Sequence, residues 1–203
     1  MYSAAGDGWQ GLKPCPITIE AFLSNLIPSI HVMAIAQNGG SPNGRNFGSD
    51  VITALAFVVG QNQLRNNIYF TVNAVSPDFA GHKPAKTEIA AIRAAHVDID
   101  PYKPGARFDK EAALRSVLID EPTIVIDSGN GLHAYWVLIE AAPATPENVA
   151  SIEAVNKALV ARYGGDQSAW NVDRVLRVPG TVNWPNEKKR ALGRVPCMAT
   201  VVL

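Results

Sequence analysis

A chain of 203 residues with 47% hydrophobic and 18% charged side chains has the material for a buried core, which excludes a disordered tail. Its 18 basic and 18 acidic residues cancel, so no global basic field advertises nucleic acid and any such contact must be a local patch. Cys15 and Cys197 fit no zinc or redox spacing and read as packed thiols in a reducing cytoplasm. The apolar run Val51–Val59 is about half of the ~20 residues a membrane span needs, and residues 1–10 lack a signal-peptide pattern. The expectation is a cytoplasmic protein with no membrane partner.

Residues 1–16 are punctuated by Gly and Pro and read as a loose lead-in. Ile19, Phe22, Leu23, Leu26 and Ile27 then follow helical spacing, with Thr18 as N-cap and Pro28 near the end. A strand is expected at His31–Ala36. Gln37–Gly48, with four glycines, a proline and three asparagines, reads as a turn-rich loop. Ser49 or Asp50 caps a second helix to about Gln61, and Asn67–Asn73 (NIYFTVN) is a β-rich run. Ser76–Lys86 reads as a polar loop, followed by a short helix from Thr87 and a strand at Ala95–Asp100 that Pro101, Pro104 and Gly105 end.

Asp109 caps a helix through Leu118. Thr123–Ile126 and Leu132–Ile139 form a hairpin around Asp127-Ser128-Gly129-Asn130-Gly131. Thr145-Pro146 opens a helix whose face carries Val149, Ile152, Val155, Leu159 and Tyr163, and Gly164-Gly165 stops it. Short strands around Val175–Val178 and Met198–Leu203 complete the chain. Helices interleaved with hairpins predict an α+β fold on an antiparallel or mixed sheet.

Three constellations carry chemistry. In His96-Val97-Asp98-Ile99-Asp100, strand alternation points both aspartates one way while Val97 and Ile99 face the core. Paired carboxylates repel unless a cation lies between them, and hard oxygen ligands suit Mg²⁺ or Mn²⁺. Solvated acids at a strand end would look the same. In Ser128-Gly129-Asn130-Gly131-Leu132-His133, glycines allow close approach to the backbone, amides can donate to phosphate, and His133 supplies a further donor. An ordinary turn beside a histidine is the plainer alternative.

The third constellation runs from Asp166 to Asn183 and includes Asp173, Arg174, Arg177 and the Pro179-Gly180 turn. From Arg174 to Arg194, six basic residues (Arg174, Arg177, Lys188, Lys189, Arg190, Arg194) face one acid, Glu187. That excess could track a phosphate backbone or simply be a solvated face.

In this order, D-x-D, S-G-x-G-x-H and D…R-x-L-R-x-P-G-T-x-N resemble the three motifs of the archaeo-eukaryotic primase superfamily, and most closely the primase–polymerases of plasmids, phages and integrated elements. The resemblance spans roughly Asn67 to Arg194. It implies one catalytic domain, with an N-terminal αβ part (about 17–66) and a motif-bearing part like an RNA-recognition motif (about 67–203) on a mixed, largely antiparallel sheet. It further implies that Asp98, Asp100 and Asp166 are catalytic ligands of two Mg²⁺ or Mn²⁺ ions. The nucleotide would be held by Ser128, Gly129, Gly131, His133, Arg174, Arg177 and Asn183.

The local charge excess assigns Lys188, Lys189, Arg190 and Arg194 to nucleic acid. Where cellular primases carry a histidine after the Pro-Gly turn this chain has Asn183, which keeps a polar contact but weakens any claim of identical phosphate handling. Asp173, beside Arg174, is the reserve acid and reads as part of an ion pair. Lys83 and Lys86 are weaker phosphate candidates. The implied activity is template-directed nucleotidyl transfer from nucleoside triphosphates on single-stranded DNA. A helicase domain or partner is expected in a longer replication protein. Two other classes remain: a non-catalytic nucleic-acid-binding module, and a metal-dependent nuclease or phosphodiesterase.

Overall fold

The computed structural model describes residues 18–100 and 108–203; the expected lead-in, Cys15 and the strand stop at Pro101, Pro104 and Gly105 lie outside them. Helix α1 (Ile19–Ser24) starts at Thr18, whose hydroxyl accepts from Ala21 N–H at 3.1 Å. It ends earlier than the apolar spacing suggests. Ser24 Oγ and Asn25 Nδ2 donate back to Glu20 O and Ala21 O, and Pro28 cannot continue the helix.

Strand β1 (His31–Ile35) pairs with β2 (Asn43–Asn46), which corrects the reading of Gln37–Gly48 as loop alone. The sequence Asn-Gly-Arg-Asn has no apolar alternation to announce a strand. Gly44 fits there because a Cβ would lie 1.7 Å from His82 O. Helix α2 (Val51–Gln63) takes Asp50 as its N-cap, accepting from Thr53 N–H at 3.0 Å. Strands β3 (Asn67–Thr71) and β4 (Ala74–Val75) follow.

The helix expected from Thr87 is a single 3₁₀ turn, Lys86–Glu88, and the alanine-rich stretch after it belongs to the long strand β5 (Ile89–Ile99). Alanine favours helix locally, but strands on both sides of β5 bind its backbone, and tertiary pairing overrides propensity.

Helix α3 (Lys110–Leu118) is capped by Asp109. The expected hairpin is β6 (Ile124–Asp127) with β7, which runs on from Leu132 to Pro143. Helix α4 (Pro146–Tyr163) begins at Thr145 and closes on Gly164 with φ 63°. The C-terminal part holds β8 (Val175–Arg177), β9 (Val182–Asn183), α5 (Glu187–Ala191), β10 (Cys197–Met198) and β11 (Thr200–Val201). The short elements β9 and α5 had no pattern to announce them.

These strands make an α+β architecture whose described pairings are all antiparallel. A four-stranded sheet runs β2-β1-β3-β8, a five-stranded sheet runs β11-β6-β7-β5-β4, and β9 pairs with β10. The four-stranded sheet thus joins β1 and β2, from before residue 66, to β3 and β8 from after it. One core cluster spans both large sheets, with Val32, Ile68 and Phe70 against Ala94, Ile126 and Tyr135. Val97, Ile99, Val125 and Ala134 pack with Leu114 and Val117 of α3 and Val160 of α4. Among the described residues, no helix is long and apolar enough to cross a membrane.

Candidate active site

Strand β5 delivers the first acids. Val97 and Ile99 are buried in the helix-covered core, so alternation turns Asp98 and, just past the strand end, Asp100 to the other face. Asp98 pairs in register with His133, and Ile99 with Leu132, so the β5–β7 ladder sets the first constellation against the second. His133 Nε2 lies 3.6 Å from Asp98 Oδ1.

The third acid arrives by backbone contact. After α4 the chain makes its turn through Gly164 and Gly165, and Asp166 N–H donates to Asp98 O at 2.8 Å. A Cβ on Gly165 would fall 2.8 Å from Asp98 O and from Val97 Cγ2, so this approach requires glycine. The sequence identified Gly165 only as a helix stop.

Residues of both large sheets and of the α5 region line a polar cleft of about 240 Å³. Asp98, Asp100, Asp166, Ser128, His133, Arg174, Arg177, Asn183, Lys189 and Arg194 border it; Gly129 and Gly131 shape the turn beside it. Lys188 and Arg190 are exposed and stand apart from the cleft lining. Lys86 pairs with Glu153 at 2.8 Å, also apart from the lining. Tyr69 of β3, which carried no sequence signal, and Asn130, present in the second constellation without an assigned role, also line it.

The turn is tightly constrained. Ser128 Oγ donates to Gly131 O at 3.0 Å and accepts from Gly131 N–H at 3.2 Å, so its hydroxyl closes the turn. Gly129 has φ +95°, and a Cβ there would lie 2.1 Å from Cys197 Sγ; at Gly131 it would lie 2.4 Å from Ile99 O. Asn183 Nδ2 donates to Ser128 O at 2.8 Å. Lys110, another residue without a sequence signal, donates to both Asp127 carboxylate oxygens at 2.9 Å and to Gly129 O at 3.1 Å.

Two arginines take different positions. Arg177 is buried; it donates to Asn67 Oδ1 and the Tyr69 hydroxyl, and its guanidinium lies 4.9 Å from the centroid of the Tyr69 ring. Arg174 Nη2 stands between two acids, 3.5 Å from Asp98 Oδ2 and 3.3 Å from Asp166 Oδ2. Asp173, expected in an ion pair, instead accepts from Asn171 Nδ2 at 2.6 Å, because the neighbouring guanidinium is turned into the cleft.

Burial pushes the Asp98 carboxyl above its ordinary range; Arg174 opposes the rise and Asp166 adds to it. Asp100 is also raised, first by desolvation and then by the charge of Asp98. At Asp166 desolvation acts upward, but hydrogen bonds from Ser168 N–H and Oγ, together with Arg174, outweigh it and hold the group low. Burial depresses His133 to about 3, with Arg177 adding to the effect, so its ring is neutral. The Tyr135 hydroxyl contacts Nδ1 at 3.4 Å, and Nε2 is turned towards Asp98 in the cleft.

Three carboxylates suit a hard divalent cation, and Asp100 Oδ1 is buried without a hydrogen-bond partner among the described residues. The residues therefore fit Mg²⁺ or Mn²⁺ in kind. Among the described residues, however, no three His, Cys, Asp or Glu side chains are gathered closely enough to hold an ion. A guanidinium lies between two of the acids instead.

Residues 61–200 match the family described as the RepB DNA-primase N-terminal domain. A replication protein of Clostridium perfringens is 32% identical over 128 residues, covering 58% of this chain and 29% of that protein. The chain thus spans under a third of that relative's length. The structure of the primase RepB′ superposes with a TM-score of 0.63 at 13% identity, over 90% of this chain and 54% of that one. The RepB′ catalytic domain in complex with initiator DNA gives 0.60 at 14% identity, over 89% and 81%. The domain of the archaeo-eukaryotic primase type from the cyanophage S-2L primase–polymerase gives 0.56 at 18% identity, over 87% and 84%. At these identities the structures show a shared fold, whereas the sequence match spans most of the chain. This chain belongs to the RepB DNA-primase N-terminal domain family.

Proposed function

We propose that this domain is a primase–polymerase that joins nucleoside triphosphates to a 3′-hydroxyl, or to an initiating nucleotide, on a single-stranded DNA template. One observation carries the proposal: three acids from two segments of the chain, the end of β5 and the turn after α4, meet a neutral histidine and an arginine in one polar cleft. A nuclease would need the acids but not the Ser128–His133 pocket, and a binding module would need neither.

Asp98, Asp100 and Asp166 would hold two Mg²⁺ or Mn²⁺ ions, which when bound lower the pKa of an attacking hydroxyl and neutralise a pyrophosphate leaving group. The protein's own part is positioning and electrostatics. His133 Nε2–H, held by Tyr135, donates to a phosphate oxygen, and Gly129 and Gly131 let the triphosphate approach the turn backbone. Arg174 adds charge at the acids, while Arg177 and Asn183 brace the cleft wall through Tyr69 and Ser128. Lys189 and Arg194 at the cleft, extended by exposed Lys188 and Arg190, would bind template phosphates. The domain would act within a longer replication protein, with a helicase domain or partner supplying single strands.

Template-dependent synthesis, assayed with and without primer and with ribo- and deoxynucleotides, tests this directly. Pyrophosphate release that requires template and Mg²⁺ or Mn²⁺ is expected. Its absence from correctly folded protein under every combination refutes the proposal.

A further inference from the structure

The Arg174 guanidinium lies where two of the proposed metal ligands face each other. Its Nη2 is 3.5 Å from Asp98 Oδ2 and 3.3 Å from Asp166 Oδ2, and its Nε is buried without a hydrogen-bond partner among the described residues. Three acids converge on the cleft, yet no three ligands among the described residues are close enough for an ion. Two carboxylates at this separation would repel, and burial already raises the proton affinity of Asp98. A fixed cation between them removes that repulsion in the ligand-free protein.

We propose that Arg174 is a built-in counter-ion that competes with divalent metal for Asp98 and Asp166 and moves to the triphosphate when nucleotide arrives. The proposal rests on the two-metal reading of the site. A metal ion entering alone must displace the guanidinium, leaving a positive charge without its partners. A metal–triphosphate brings phosphate oxygens to which Arg can bind bidentately. Metal and nucleotide should therefore strengthen each other's binding by one shared factor, because linkage is reciprocal.

Mn²⁺ binding, measured by electron paramagnetic resonance of the free ion with and without a non-hydrolysable deoxynucleoside triphosphate analogue, reads this without turnover. Arg174→Gln should bind Mn²⁺ alone about tenfold more tightly than the parent protein. The analogue should tighten Mn²⁺ binding about tenfold or more in the parent and at most about twofold in the variant. Arg174→Lys, which keeps charge on a different head group, should fall between the two and serves if Arg174→Gln melts below the assay temperature.

Unchanged or weaker Mn²⁺ binding in a folded Arg174→Gln protein, with the parent binding normally, overturns the inference and leaves the two-metal reading standing. Mn²⁺ binding that persists in an Asp98→Asn, Asp166→Asn double variant overturns the two-metal reading, and the inference with it.

Discussion

Asp98 and His133 are direct partners across the antiparallel β5–β7 ladder, with His133 Nε2 3.6 Å from the Asp98 carboxylate. Their placement depends on register. A slip of one residue would turn Asp98 into the core and expose Val97 and Ile99, so the same apolar burial that stabilises the sheet fixes the site. Gly131 maintains that register where the strands meet, since a Cβ there would lie 2.4 Å from Ile99 O and 3.0 Å from Asp100 Oδ1.

Replacing Asp100 with Asn should abolish nucleotide incorporation without lowering the melting temperature. Desolvation and Asp98 disfavour its charge in the folded state, so a neutral amide relieves a destabilising ion. Full incorporation with either Mg²⁺ or Mn²⁺ would remove Asp100 from the metal site. A clear drop in melting temperature would show that its charge is structural.

The third acid is decided by comparison. Asp166→Asn should reduce synthesis by at least about a hundredfold, because a lost ligand removes transition-state stabilisation. Asp173→Asn touches only a partly buried hydrogen bond with Asn171, worth ~1 kcal/mol, whose acceptor oxygen the amide retains, and should leave the rate nearly unchanged. Steady-state rates ranked the other way would move the ligand to Asp173.

Gly165→Ala tests whether backbone approach, rather than the acid alone, builds the site. The added methyl would sit 2.8 Å from Asp98 O, separating Asp166 from β5. About 1–3 kcal/mol of stability should be lost, as in other overpacking substitutions, and synthesis should fall further than the unfolded fraction explains. Parent-like specific activity would show that the Asp166 N–H to Asp98 O contact is dispensable.

What was legible in the sequence had a local physical signature. Thr18, Asp50, Asp109 and Thr145 cap helices where side-chain chemistry said they would. Alternation at His96–Asp100 gave both the buried and the cleft-facing sets. The misses lacked such a signature. Nothing in Asn43–Asn46 marks a strand, and Ile89–Ala95 has helical composition that β4 and β7 overrule. Tyr69, Lys110 and Gly165 owe their places to contacts remote in sequence, with Arg177, Asp127 and Asp98.

Stability should fall as the medium is acidified from pH 6.5 towards 4, in part through His31. Burial holds this histidine at about 4, against 6.5 when exposed. Between those values the unfolded chain binds a proton that the folded one does not, so stability rises with pH and the contribution is complete above 6.5. His31→Gln should make the slope of unfolding free energy against pH shallower by about one proton between 4.5 and 6. His96 and His133, both depressed to about 3, add to the slope in the same sense, while the raised Asp98 and Asp100 carboxyls oppose it. Urea titrations at several pH values measure it, and an identical slope in the variant would show that His31 does not titrate there.

His133 separates a nucleotide-binding role from a purely structural one. It is 5% exposed and neutral, its Nδ1 contacts the buried Tyr135 hydroxyl, and Nε2, turned towards Asp98, is the nitrogen that donates to nucleotide in the proposed site. A hydrogen bond from that donor to a triphosphate oxygen is charge-assisted and worth roughly 1.5–3 kcal/mol. His133→Ala should therefore weaken triphosphate binding by about one to two orders of magnitude. With the ring neutral above pH 5, this loss should be the same at pH 6.5 and pH 8. The substitution also strips Tyr135 of its partner, so some stability will be lost in either case, and melting alone is not diagnostic. The shift in melting temperature produced by triphosphate and Mg²⁺ is. It should shrink in the variant while the affinity of the folded protein for single-stranded DNA, which the proposed function assigns to Lys189, Arg194 and their neighbours, stays near that of the parent. An undiminished ligand-induced shift would remove His133 from the site.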